Sequence, residues 1–167
     1  MENTIVVTSN GTLTCNGKTY RCALGKGGVS LDKKEGDGAT PVGCFPMRKV
    51  YYRPDKIVAP ATGLPVEALT ETSGWADDAE RPEYNMFVEL PYDGSHEALW
   101  REDDVYDIIV PLGYNDGPIV PGKGSAIFMH VARETYSPTA GCIALSLTDL
   151  LEVLTSCDAE TQVCVRE

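Results

Sequence analysis

The 167-residue sequence is short of several things, and each scarcity excludes a class of function. No apolar run approaches the roughly 18 residues of a membrane-spanning helix, so no span is expected. There are two histidines, His96 and His130, and neither belongs to a recognisable ligand pattern, which disfavours a zinc hydrolase. The cysteines at 15, 22, 44, 142, 157 and 164 include no Cys-x-x-Cys pair, so zinc-ribbon and thioredoxin-like readings lack support. No repeat, low-complexity tract or linker divides the chain, and 1–167 reads as a single domain. The start, Met-Glu-Asn-Thr-Ile-Val-Val-Thr, has no basic leader ahead of an apolar core. That predicts a cytoplasmic location, or a periplasmic one if a leader has been removed. A reducing compartment disfavours disulfides, so every cysteine except Cys142 is expected to be a small buried apolar residue.

Positive charge is also scarce. Fourteen bases face 25 acids, for a formal charge of −11. Between Glu71 and Asp107 there are twelve acids and only two bases, Arg81 and Arg101. Repulsion on that scale argues against nucleic acid or an anionic membrane surface as partner. The stretch reads either as a solvated face or as an acidic wall beside a site that receives an ammonium group.

What is present points to a mainly β domain. With 16 Gly and 11 Pro, many turns and short elements are expected rather than a long-helix bundle. Asn10-Gly11 and Asn16-Gly17 both read as two-residue type I′ hairpin turns, and the second places Leu13 opposite Tyr20. Ile5–Thr8, 47–52, Met86–Leu90, Tyr106–Leu112, Ala126–Val131, Cys142–Leu145 and Thr161–Arg166 read as strands. Alternation along the fifth of these puts Ala126, Phe128 and His130 on one face. Leu147, Leu150, Leu151 and Leu154 draw the apolar stripe of a helix that Ser146 would cap. Ser95–Trp100 is expected to form a second, short helix.

Two residues invite nucleophilic chemistry. His130 ends an apolar strand, and Cys142 follows 12 residues later, after Thr139-Ala140-Gly141. An imidazole can take a thiol's proton, and a glycine turn before the nucleophile can aim successive amides at one point, as an oxyanion hole requires. Spacing alone leaves open a core histidine beside an unrelated buried cysteine. Gly117 to Lys123 also reads Gly-x-x-x-x-Gly-Lys, the opening of a phosphate-binding loop. The next residue is Gly124 rather than Ser or Thr, two prolines interrupt the run and a strand follows, so nucleotide binding is not expected.

His130 with Thr139-Ala140-Gly141-Cys142-Ile143 resembles the His…Ser/Thr-x-Gly-Cys signature of the L,D-transpeptidase catalytic domain (YkuD type). Ala39-Thr40-Pro41-Val42-Gly43-Cys44-Phe45 is similar to that family's Thr-Pro-x-Gly-x-Phe segment. The resemblance implies a β-sandwich with one or two short helices, no cofactor or metal, and a cysteine acyl-enzyme acting on a peptidoglycan stem peptide or muropeptide. Cys142 would attack the carbonyl of the third stem residue, a diamino acid, and expel terminal D-alanine. His130 would be the base, oriented by the Val131 carbonyl, and the amides of Gly141 and Cys142 would form the oxyanion hole. The family carries arginine two positions after the cysteine, and this sequence has Ala144 there. Arg101 or Arg133 would have to substitute, or the substrate differs. His96 is read as a surface residue or a substrate contact, Asn115 as a contact or a turn residue, and Thr139 as a further contact. With no leader, hydrolysis (L,D-carboxypeptidase activity in muropeptide recycling) is expected over transpeptidation, with a catalytically silent stem-peptide module as the remaining alternative.

Overall fold

The computed structural model describes residues 3–167. Its elements in chain order are β1 (Thr4–Thr8), β2 (Thr12–Cys15), β3 (Lys18–Arg21), β4 (Val29–Ser30), β5 (Thr40–Pro41), β6 (Gly43–Pro46), β7 (Val50–Tyr52) and β8 (Val66–Ala68). They continue with β9 (Ser73–Ala76), β10 (Phe87–Glu89), β11 (His96–Ala98), β12 (Ile108–Pro111), β13 (Phe128–Val131), β14 (Ile143–Leu145), α1 (Leu147–Leu154) and β15 (Gln162–Arg166).

Turn chemistry builds the first hairpins. Asn16 and Gly17 both have positive φ, 51° and 77°, the pair a type I′ turn demands, and Leu13 faces Tyr20 in register. The turn at Asn10-Gly11 differs from the expected two-residue loop. Thr8 pairs with Thr12, so three residues intervene, and of these only Gly11 has positive φ. Glycine at the last of three loop positions is the alternative hairpin closure.

Two five-stranded sheets, in orders β3-β2-β1-β15-β6 and β14-β13-β12-β7-β8, enclose the main core. Ile5, Val7, Leu13, Val163 and Val165 from the first meet Ile108, Val110, Met129, Ile143 and Leu145 from the second. Burying each such side chain contributes roughly 1.5–3 kcal/mol. The helix α1 closes one end through Leu150, Val153 and Leu154, and its Ser146 hydroxyl accepts the Asp149 amide at 3.1 Å.

The period of two then makes a second, smaller core on the other face of the second sheet. Ile109, Tyr51 and Phe128 point there, away from Ile108 and Met129, and meet Tyr106, Leu99, Trp75 and Phe87. Trp75 and Phe87 belong to a three-stranded sheet, β10-β9-β11, that covers this face. The expected helix at 95–100 is replaced by β11, because His96–Ala98 pairs with Ala76–Gly74 of β9. Backbone pairing there outweighs the weak helical preference of three residues.

Cys44 and Cys164 form a disulfide, contrary to the expectation that both are lone buried thiols. They are directly opposed in the antiparallel β6–β15 pair, a register that a separation of 120 residues conceals. Cys15, Cys22, Cys142 and Cys157 are buried and free.

Candidate active site

The residues of interest converge where the second sheet faces its three-stranded cover. β13 carries Phe128 and His130 on that side, and His130 lies beside Ile109 of β12. The carbonyl of Val131 can only accept, so His130 Nδ1, 2.9 Å away, carries the hydrogen. Nε2 is thereby the basic nitrogen. Parallel pairing of β13 with β14 sets His130 next to Ala144, which brings the start of β14, and Cys142, to the same cavity.

The turn before Cys142 is clamped from several directions. The Thr139 hydroxyl donates to the Cys142 carbonyl at 2.7 Å and accepts the Gly141 amide at 3.1 Å. Gly141 has φ of +138°, and a side-chain carbon placed there would lie 2.8 Å from the Ala39 carbonyl oxygen. Thr40, wholly buried, donates its hydroxyl to the Gly141 carbonyl and accepts the Gly25 amide, both at 2.9 Å. Thr40 was invisible as a site residue, though the Ala-Thr-Pro-Val-Gly segment marked its position. The oxyanion-hole expectation changes in one respect. The Gly141 amide is already bonded to Thr139, because a threonine hydroxyl two residues back closes a local turn.

The thiol is not hydrogen-bonded to the imidazole among the described residues. Cys142 Sγ donates to the Ala126 carbonyl at 3.2 Å and accepts the Phe128 amide at 3.4 Å. Burial pushes the thiol up to about 12 and the His130 imidazole down to about 4, the latter against the raising effect of its Val131 bond. At neutral pH the resting pair is therefore a neutral thiol and a neutral imidazole, rather than an ion pair.

A cavity of about 420 Å³ opens over both residues. Three carboxylates line it, Glu35, Asp77 and Glu97, together with Arg101, Arg133 and Thr139. Burial raises the Glu97 carboxyl, although the Tyr106 hydroxyl donates to it at 2.5 Å. Tyr106 also presents its ring to His130, with centroids 5.4 Å apart. Arg101 grips Asp103 through two bonds and holds that carboxyl down to about 2. Arg133 is 3.6 Å from the same carboxylate. Two of the three carboxylates come from the acidic stretch, whereas Glu35 lies outside it.

His96 and Asn115 stand elsewhere. His96 is exposed, with Nδ1 2.8 Å from the Gly94 carbonyl. Asn115, with φ of 54°, uses its amide to staple its own loop through Val120 and Gly124, which is the turn role. The Gly117–Lys123 run is a loop with a cis Gly117–Pro118 bond. Among the described residues no group of three or more His, Cys, Asp or Glu is arranged to hold a metal ion, and no helix is long and apolar enough to cross a membrane.

The family model for the YkuD L,D-transpeptidase catalytic domain matches residues 2–165. Comparison with curated proteins finds no match. Among solved structures, similarity extends to L,D-transpeptidase 1 of Mycobacterium tuberculosis, at 14% identity over 98% of this chain and 58% of that one, with a TM-score of 0.44. An L,D-transpeptidase from Mycobacterium smegmatis gives 14%, 98%, 58% and 0.45. L,D-transpeptidase 3 of Mycobacterium tuberculosis gives 13%, 98%, 60% and 0.48. The chain thus spans less than two thirds of the length of these structures.

Proposed function

The chain belongs to the L,D-transpeptidase catalytic domain family of cysteine-based enzymes, and from that premise we propose that it cleaves peptidoglycan tetrapeptide stems between the diamino acid and terminal D-alanine. The observation that carries the reading is the placement of Cys142 and His130, tautomer fixed, on the wall of one charged cavity.

In this mechanism the Cys142 side chain turns from the Ala126 carbonyl toward His130. As sulfur attacks the carbonyl of the third residue, its hydrogen passes to Nε2. Negative charge on the tetrahedral oxygen is met by the Cys142 amide, and by the Gly141 amide once Thr139 releases it. The C–N bond then breaks, and D-alanine leaves with the proton returned by His130. Water attacks the resulting thioester, His130 takes its proton, and collapse restores the thiol and frees a tripeptide acid. Glu35, Asp77 and Glu97 complement the ammonium of the diamino acid. Arg101 and Arg133 offer a carboxylate the partner that Ala144 cannot.

Hydrolysis is the favoured fate because a cavity lined with charged groups keeps water beside the thioester. The Cys44–Cys164 disulfide favours a second reading, for disulfides persist in oxidising compartments such as the periplasm, where a cross-linking amine acceptor is found. In that case the same acyl-enzyme is transferred to an amine. Mass spectrometry of tetrapeptide products, with and without an added D-amino acid, separates the two. Absence of D-alanine release, with Cys142→Ala indistinguishable from the parent, overturns both and leaves a silent stem-peptide module.

A further inference from the structure

Asn85 spends its whole side chain on a junction one step removed from the nucleophile. Its residue is 7% exposed. Oδ1 accepts the Trp75 indole hydrogen and the Ala126 amide, each at 3.0 Å. Nδ2 donates to the carbonyls of Tyr114 at 3.1 Å and Asn115 at 2.8 Å. An amide side chain has two donor hydrogens and one oxygen, so nothing is left over. Asn85 itself adopts a left-handed backbone, φ 59°, which asparagine tolerates better than most residues.

The partner that matters is Ala126. It too is left-handed, φ 55°, a conformation that alanine adopts rarely and that surrounding contacts must enforce. That handedness turns the Ala126 carbonyl toward Cys142, whose thiol donates to it at 3.2 Å. The chain of contacts runs from the Asn85 oxygen through the Ala126 amide and carbonyl to the sulfur.

We propose that Asn85 is a positioning residue that, by holding Ala126 in its left-handed turn, keeps the Cys142 thiol parked on a main-chain carbonyl and thereby sets both its resting reactivity and its starting point for attack. The proposal rests on the reading of Cys142 as nucleophile. A carbonyl acceptor stabilises the protonated thiol, so the parked state is protected from adventitious electrophiles. The other titratable groups of the cavity are His130 and Tyr106, the carboxylates Glu35, Asp77 and Glu97, and the cations Arg101 and Arg133, and the charge of Lys33 also acts on the sulfur. None of them is hydrogen-bonded to Asn85, so deleting its side chain breaks no bond to them.

The test is iodoacetamide labelling of native protein at pH 9, followed by mass spectrometry of the Cys142, Cys22 and Cys157 peptides. Cys22 and Cys157 are buried free thiols of the main core, whereas Ala126 and Cys142 belong to the smaller one, and they report general loosening. Asn85→Gly keeps the left-handed backbone and deletes the side chain. It is expected to speed labelling of Cys142 about 10-fold with Cys22 and Cys157 unchanged, while D-alanine release slows. Asn85→Asp retains the acceptor for Ala126 and loses the two donors to Tyr114 and Asn115, so Cys142 is expected to label no faster than in the parent. If the glycine variant does not fold, Asn85→Ser, whose hydroxyl is too short to reach the Ala126 amide, takes its place with the same expected rise. A Cys142 rate equal to the parent's in a folded glycine or serine variant, or a parallel change at all three cysteines, overturns the proposal. Labelling needs no substrate, so failure of the tetrapeptide assay overturns the function reading alone.

Discussion

The ring of His130 is held by the carbonyl of the very next residue, Val131, with Nδ1 and the oxygen 2.9 Å apart. A carboxylate in that position would stabilise the imidazolium; a neutral carbonyl does so far less. Burial therefore prevails and brings the imidazole down to about 4.

The pH profile of kcat/KM should accordingly show its acidic limb near pH 4, since the neutral imidazole is the working base and is present above that value. A limb at pH 6.5 would contradict the buried environment. Stability follows the same group. Between pH 6.5 and 4 the unfolded chain binds a proton that the folded one refuses, so stability falls as pH drops through that window. The loss is at most about 3 kcal/mol, and His130→Gln should abolish it in urea titrations at pH 7 and pH 4.5.

Gly141→Ala should reduce turnover about 100-fold and stability by about 2 kcal/mol. The added carbon meets the Ala39 carbonyl at 2.8 Å, and a φ of +138° is foreign to alanine. The opposing oxygen is main chain, so the nucleophile's turn must shift. Steady-state kinetics beside thermal melting read both effects. Wild-type turnover in the variant would mean that the turn is more forgiving than its clamps imply.

Glu97→Gln should raise KM for a tetrapeptide with a diamino third residue about 10-fold and change kcat little, because the carboxylate is assigned to substrate ammonium rather than to the reacting atoms. A substrate with an uncharged third residue should be insensitive to the change. Equal losses on both substrates would show that Glu97 acts only through Tyr106.

Reduction of the Cys44–Cys164 bond, or the Cys44→Ser and Cys164→Ser pair, should lower stability by about 4–5 kcal/mol, because the bond closes a loop of 120 residues. Both cysteines lie in β6 and β15, outside the cavity lining, so turnover at 25 °C should be retained. Denaturant titration with and without reductant measures the first effect and D-alanine release the second.

Local chemistry was legible in the sequence wherever neighbours in the chain are neighbours in space. The Asn16-Gly17 turn, the capped leucine stripe of α1 and the alternation that aims His130 and Phe128 together all belong to this kind. Cys142 and His130 stood out because nucleophile and base are separated by one short loop. The features that were hidden are non-local. Each side-chain partner of Asn85 lies 10 to 41 residues away, and the disulfide joins residues 120 apart. The helix expected at 95–100 failed for a related reason, since β11 exists only through its pairing with β9. His96 drew notice by its place in the acidic stretch and Asn115 by its place ahead of β13, and neither lines the cavity.

The hydrogen bond from Thr40 to the Gly141 carbonyl spans 101 residues of sequence. During synthesis, then, the mould for the nucleophile exists only in halves until the ribosome has passed residue 142. A nascent fragment ending earlier carries the buttress without the sulfur. The nucleophile is thus added late, and β14 and β15, which complete the two five-stranded sheets, follow it, so the turn around Cys142 is set only as the last strands join.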